Sequence, residues 1–208
     1  MPTNEQMAAA LLAEGAATPE IAECMRRFPR ELFLPEKYKG DAYLDTPLPT
    51  VAGQTTSAPS MIAIMLREAG LKKGQSVLEI GTGSGWQTAL ISCLVGPKGK
   101  VVTVELVEGL SRAAQGIFSE LGVKNTSFLV KDGTGGAAPS APFDRIIVSA
   151  TAKKVPKALE MQLKEAGILI IPLQSAPFMQ HLYKFRKKGG RLEGGPVLPV
   201  MFVPLAEK

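Results

Sequence analysis

From residue 76 onward the chain alternates short, continuously apolar runs with longer stretches of helical spacing. Ser76–Ile80, Val101–Glu105, Ser127–Val130, Phe143–Ser149 and Gly167–Pro172 read as strands, and 86–95, 108–121 and 156–164 read as the helices between them. Runs apolar at nearly every position, with helices between them, belong to a parallel sheet covered on both faces. The end of the chain differs, because about 179–187 and 198–204 are strand-like with no helix between them. Gly189-Gly190 supplies a hairpin turn there, so an antiparallel finish follows. The expected architecture is α/β, a doubly wound and mostly parallel seven-stranded sheet with antiparallel C-terminal strands.

The N-terminal quarter carries another pattern. Residues 4–27 read as two short helices broken at Gly15, the second opened by Thr18 as its N-cap. Phe28 to Pro59 holds five prolines and no sustained periodicity, and a loop of that length is uncommon unless it has a task. Helical spacing resumes at Met61, Ile62, Ile64, Met65 and Leu66, with Ser57 as a possible N-cap and Gly70 as the stop. At 208 residues, one domain spanning 1–208 is expected, with 1–56 as helices and loop packed on its core.

Composition narrows the classes. With 45% hydrophobic and 21% charged residues the chain is globular, neither disordered nor collagen-like. Its longest apolar stretches, such as Ile168-Leu169-Ile170-Ile171, fall far short of the roughly 20 residues that span a bilayer. The N-terminus lacks the basic region of a signal peptide, so a cytoplasmic location without membrane partners is expected. Cys24 and Cys93 fall in helical segments without metal spacing, and are expected to be reduced packing residues. With His181 the one histidine, no metal site is expected. The net charge of +5 is concentrated late, since residues 151–208 hold ten basic and four acidic residues. Lys184, Arg186, Lys187, Lys188 and Arg191 bracket the glycine turn, either as solvated edge charges that resist aggregation or as an attraction for anionic partners.

Candidate chemistry begins where Val77-Leu78-Glu79-Ile80 runs into Gly81-Thr82-Gly83-Ser84-Gly85 before the helix at Trp86. In a doubly wound sheet that turn lies at the carboxyl end of a strand, where ligands bind, and glycines let backbone N–H groups approach them. The spacing is GxGxG followed by a bulky Trp86, which departs from the dinucleotide fingerprint GxGxxG. Glu105 closes the next strand 20 residues after Gly85, where a carboxylate can accept from both hydroxyls of a ribose. Asp132-Gly133 ends the third strand, within reach of an adenine amino group. Three features on three successive strand ends imply an adenosyl ligand.

These residues also resemble a known family. Val77 to Gly85 is similar to the cofactor motif of protein-L-isoaspartate O-methyltransferases and of many other methyltransferases. More specific are Ala42-Tyr43-Leu44-Asp45-Thr46-Pro47-Leu48-Pro49 and Gly53-Gln54-Thr55-Thr56-Ser57-Ala58-Pro59, which resemble the family's segment before the cofactor domain. Ala141-Pro142-Phe143-Asp144, Gln162-Leu163-Lys164 and Phe202-Val203-Pro204-Leu205 extend the likeness over about residues 20–205. Ser60, Thr50-Val51, Lys131 and Ser149-Ala150-Thr151 depart from the family's frequent residues, mostly on the substrate side.

The resemblance implies a Rossmann-like methyltransferase fold and S-adenosyl-L-methionine as cofactor, with S-adenosyl-L-homocysteine as product. It implies Ser57 as the active-site residue, and Thr56, Gly81, Thr82, Gly83, Ser84, Gly85, Glu105, Asp132 and Gly133 around the cofactor. Thr55, Ser57, Ala150 and Val203 are implied at the substrate. The expected reaction is methylation of the α-carboxylate of L-isoaspartyl, and in part D-aspartyl, residues in damaged proteins, initiating repair through a succinimide. Isoaspartyl proteins and peptides are the expected partners, without an obligate nucleic acid, and the chain is expected to be a monomer. Two alternatives stand beside this: another S-adenosylmethionine-dependent methyltransferase, for example one acting on RNA, or a non-catalytic recogniser of damaged protein.

Overall fold

The computed structural model describes residues 1–50 and 53–205. Val51 of the Thr50-Val51 departure lies outside the described residues. The two N-terminal helices form where the caps place them. Helix α1 (Asn4–Ala13) opens on a capping box, in which Thr3 Oγ1 accepts from the Gln6 N–H and Gln6 Oε1 accepts from the Thr3 N–H. Thr18 caps α2 (Pro19–Arg27) by accepting from the Ile21 N–H. Two 3-10 turns follow, at Arg30–Phe33 and Glu36–Asp41. A two-residue pairing of β1 (Leu48–Pro49) with β2 (Thr55–Thr56) then leads to α3 (Pro59–Ala69).

The sheet follows the expected alternation. Strands β3 (Ser76–Ile80), β4 (Lys100–Glu105), β5 (Thr126–Val130), β6 (Phe143–Val148), β7 (Leu163–Ala176), β8 (Met179–Lys188) and β9 (Arg191–Val200) pair in the order β5-β4-β3-β6-β7-β8-β9. Helices α4 (Trp86–Val95), α5 (Glu108–Glu120) and α6 (Lys157–Gln162) connect the parallel part. Pairings among β3 to β7 are parallel, and β8 and β9 run antiparallel. Neighbouring residues feed opposite faces: Val77, Ile147, Ile168 and Ile170 join one core with the helices α1 to α4, and Leu78, Ile146, Leu169 and Ile171 join a second with Leu159 of α6. The apolar runs of β3, β4, β6 and the middle of β7 are thus buried, whereas the edge strand β5 is half-covered and leaves Val130 exposed. Since β3 has β4 on one flank and β6 on the other, the strand order reverses beside β3, where a crevice opens at the carboxyl ends.

Four expectations are corrected. Helix α3 does not use Ser57 as its cap, because it starts at Pro59 with Ala58 as N-cap and no side-chain bond from that residue. Proline at the first helical position sets the start, and Asp45 Oδ1, from a distant loop, accepts the Ser60 N–H at 2.8 Å. The final strand occupies Arg191–Val200 in place of 198–204, since partner β8 carries it directly out of the turn despite Gly194, Gly195, Pro196 and Pro199. Helix α6 stops at Gln162 and β7 begins at Leu163, whose side chain is buried in the second core. Cys24 and Cys93 are not reduced: they form a disulfide, with Cα atoms 5.9 Å apart. Helices α2 and α4 pack together in one layer, a contact that 69 residues of separation conceal from local spacing.

The basic hairpin is largely engaged within the fold. Lys184 pairs with Glu68 at 3.1 Å, and Lys187 Nζ donates to the carbonyls of Glu160 and Leu163. Arg186 donates to the Ala166 carbonyl, and Glu165 accepts the N–H groups of Gly189 and Gly190 at the turn. Among the described residues no helix is long and apolar enough to cross a membrane, and no group of three or more His, Cys, Asp or Glu residues could hold a metal ion.

Candidate active site

At the strand-order reversal lies a cavity of about 490 Å³. Its walls come from the ends of β3 (Ile80 to Ser84), β4 (Val104 to Val107) and β6 (Ser149, Ala150), from Gly133 after β5, and from Gly53 to Ser57 and Val203 to Leu205. Of the residues implied for the cofactor, the structure brings Thr56, Gly81, Thr82, Gly83, Ser84, Glu105 and Gly133 to this wall, and of the substrate set Thr55, Ser57, Ala150 and Val203. Gly85 and Asp132 adjoin lining residues in sequence without lining the cavity themselves. Gly85, at φ 89°, turns the chain into α4, and a Cβ there would come within 3.0 Å of Ala114 Cβ on α5. Asp132 Oδ1 accepts the Thr134 N–H at 2.7 Å and so shapes the turn that presents Gly133. A Cβ on Gly133 would run into the Ile80 side chain, so only glycine leaves this wall flush.

Glu105 organises the glycine turn. Its Oε2 accepts the Gly83 N–H at 2.9 Å, and Oε1 accepts the N–H groups of Leu106 and Val107 at 2.8 and 3.0 Å. A carboxylate offers about four acceptor positions, so capacity remains on Oε2 toward the cavity. Beneath it, Glu79 is fully buried. Thr88 and Thr103 hydroxyls donate to its Oε2 and Gln87 Nε2 to its Oε1, while Thr82 and Thr103 hydroxyls lie 2.6 Å apart. Burial pushes the Glu79 carboxyl up to about 7 against those three hydrogen bonds, and the nearby Glu105 charge adds to the rise. Gln87 Nε2 also donates to Ser149 Oγ at 2.9 Å, joining the ends of β3 and β6 at the cavity wall. Sequence reasoning missed Gln87; the polar pair Gln87-Thr88 in the first turn of a mainly apolar helix was its available signal.

The proline-rich loop reaches the cavity through a different set of contacts. Arg30, with no exposed surface, donates through Nη1 to the carbonyls of Ala42 (3.1 Å) and Leu44 (3.4 Å), and through Nη2 to those of Thr46 (3.1 Å) and Ser57 (2.9 Å). Burial pulls its pKa down to about 10 while Asp45 pushes it up, so it stays protonated at neutral pH. On the far side, Thr151 donates its N–H to the Val203 carbonyl at 2.8 Å and accepts from the Leu205 N–H at 2.8 Å. Those two bonds lay residues 203–205 along the rim beside Ala150.

Comparisons with known proteins give the chain its relatives. The family model described as protein-L-isoaspartate(D-aspartate) O-methyltransferase matches residues 2–208. The chain is similar to a protein-L-isoaspartate O-methyltransferase of Ignicoccus hospitalis, 49% identical over 95% of this chain and 94% of that protein. Another of that name from Pyrococcus abyssi is 46% identical, with 89% and 86% covered. Among solved structures, one named protein-L-isoaspartate O-methyltransferase aligns with a TM-score of 0.92 at 33% identity over 98% of this chain; this chain spans 66% of that longer one. A putative protein-L-isoaspartate O-methyltransferase of Plasmodium falciparum, solved in complex with S-adenosyl-L-homocysteine, aligns at 0.88 and 25% identity over the whole of both chains.

Proposed function

Because the chain belongs to the protein-L-isoaspartate(D-aspartate) O-methyltransferase family, we propose how its own residues divide the work of that family's reaction. The protein is an S-adenosylmethionine-dependent methyltransferase that methylates the α-carboxylate of isoaspartyl residues in damaged proteins. The cavity's donor set fits such a cofactor: Glu105 keeps acceptor capacity for a ribose hydroxyl, and the flush wall at Gly81, Gly83 and Gly133 admits close approach. When bound, the cofactor supplies a sulfonium methyl, and S-adenosyl-L-homocysteine is left once the carboxylate oxygen has taken it.

The residues of the chain then have a limited task. An α-carboxylate, with a pKa of about 4, is already ionised at neutral pH, so no general base is needed. In-line placement of the two reactants can contribute roughly 7–11 kcal/mol to lowering the barrier. Ser57 orients the substrate carboxylate by hydrogen bonding, without acting as a nucleophile, and Thr55, Ala150 and Val203 border the peptide. Thr56, Thr82 and Ser84 face the cofactor with the glycines and Glu105, while Asp132 acts through the turn it caps. Residues 1–208 act as one domain, monomeric and cytoplasmic, with no obligate nucleic acid. The observation that carries the reading of Ser57 is that this residue lines the cavity while α3 is capped without it.

Labelled S-adenosylmethionine offered with an isoaspartyl peptide and, separately, with RNA tests the reading. Methyl transfer to the peptide alone is expected, and Ser57→Ala is expected to lose turnover with an unchanged melting temperature. Full activity in that variant would remove Ser57 from the mechanism.

A further inference from the structure

We propose that Arg30 is the positioning residue of this site: it holds the carbonyls of Ala42, Leu44, Thr46 and Ser57, and thereby sets the Ser57 side chain at the cavity. This rests on the role given to Ser57 above. Arginine is almost never fully buried unless paired, and here Nη1 and Nη2 make four bonds to one loop and none to a carboxylate, while Nε is buried without a partner. The guanidinium carbon also lies 5.5 Å from the centre of the Trp86 ring. Trp86 is the first residue of α4, directly after the glycine turn, and its Nε1 donates to the Phe28 carbonyl at 2.8 Å. One buried fork therefore joins the substrate loop to the helix that starts from the cofactor turn.

The loop's other supports are mostly local. Its backbone bonds are the two-residue match of β1 with β2, the Thr50 N–H on the Gln54 carbonyl and the Leu44 and Thr46 N–H groups on the carbonyls of Asp41 and Leu44, and Ala42 and Leu48 pack with Leu34 in a small core of their own. Asp45 is committed to the Ser60 N–H. A fixed planar fork can meet several carbonyls at set angles, whereas lysine offers one compact ammonium and methionine no donor at all. Arg30 makes no hydrogen bond to Glu105 or to the glycine turn, so its loss is expected to disturb the substrate side far more than the cofactor side, which the loop reaches through Thr56.

The test uses full-length Arg30→Met and Arg30→Lys with three readouts: amide hydrogen exchange across 42–50 and 53–57, S-adenosyl-L-homocysteine affinity, and steady-state kinetics on an isoaspartyl peptide. In Arg30→Met the loop amides are expected to exchange about tenfold faster while those of β3 and β4 do not. Its kcat/KM is expected to fall about a hundredfold, because misplacement by an ångström costs that much. Cofactor-product affinity is expected to fall far less than kcat/KM, since Thr56 alone of this loop is assigned to the cofactor, and Arg30→Lys to be intermediate. Unchanged loop exchange with unchanged kcat/KM overturns the proposal. So does a loss of protection spread evenly over loop and sheet, or failure of both variants to fold, since Arg30 would then be a general core residue. A wild-type protein inactive on the peptide would instead sink the role of Ser57, and loop exchange would still decide whether Arg30 holds the loop.

Discussion

Replacing both members of the Cys24–Cys93 bridge by alanine probes how the N-terminal helices are fastened to the cofactor domain. The bridge closes a loop of 69 residues between α2 and α4. In the chain-entropy account such a loop removes about 15 cal/mol/K from the unfolded ensemble, or about 4 kcal/mol at 25 °C. Unfolding entropy of about 2 cal/mol/K per residue makes that a fall of about 10 °C in melting temperature for a chain of this length. Scanning calorimetry of wild type and of Cys24→Ala/Cys93→Ala, each with and without reductant, reads the effect. Reductant is expected to lower the wild-type midpoint to that of the variant and to leave the variant unchanged. Thiol titration of the unreduced wild-type protein in denaturant should find none free. Two titratable thiols there, or a midpoint indifferent to both reductant and mutation, would refute the reasoning.

Other perturbations separate the parts of the site. Glu79 is raised in the folded state to about 7 from 4.5, so the native protein holds that proton more tightly than the unfolded chain. Its contribution is therefore full below about pH 4.5 and is lost as pH rises to about 7, by up to about 3 kcal/mol. Glu79→Gln should flatten that part of the stability profile in urea melts, and an unaltered slope would contradict the cause assigned. Gly133→Ala forces a methyl group against Ile80 and should cost about 1–3 kcal/mol by overpacking, with weaker S-adenosyl-L-homocysteine binding in calorimetric titration. Glu105→Gln turns a charged acceptor of three backbone N–H groups into a half-donor, so affinity should fall at least about tenfold, at roughly 1.5–3 kcal/mol per such bond.

What was legible in the sequence was whatever rests on local period and local caps. Ser76–Ile80 and the helix from Trp86 to Val95 are found where the apolar runs predict them, because strands buried on both faces leave little freedom in register. Thr18 caps its helix as expected, since that bond spans three residues. Ser57 offered the same local signal and was misread, because the capping acceptor is Asp45, brought from another segment. Distance along the chain also hid the Cys24–Cys93 bridge and the reach of Arg30 to four carbonyls 12 to 27 residues away. The last strand was placed too late because its glycines and prolines read as loop, whereas pairing with β8 determines its course. For the site, order along the chain located Glu105 and the glycine turn at the cavity. That Gly133 forms the wall while Asp132 Oδ1 caps the turn presenting it is a matter of side-chain direction that no spacing reports.

The central claim concerns which carboxylate takes the methyl group. Two peptides identical except for Asp or isoAsp at one position, each incubated with the protein and methyl-labelled S-adenosylmethionine, test it most directly. Base-labile label, released as methanol, is predicted on the isoAsp peptide alone. Equal labelling of both peptides, or none on the isoAsp member, would contradict the account.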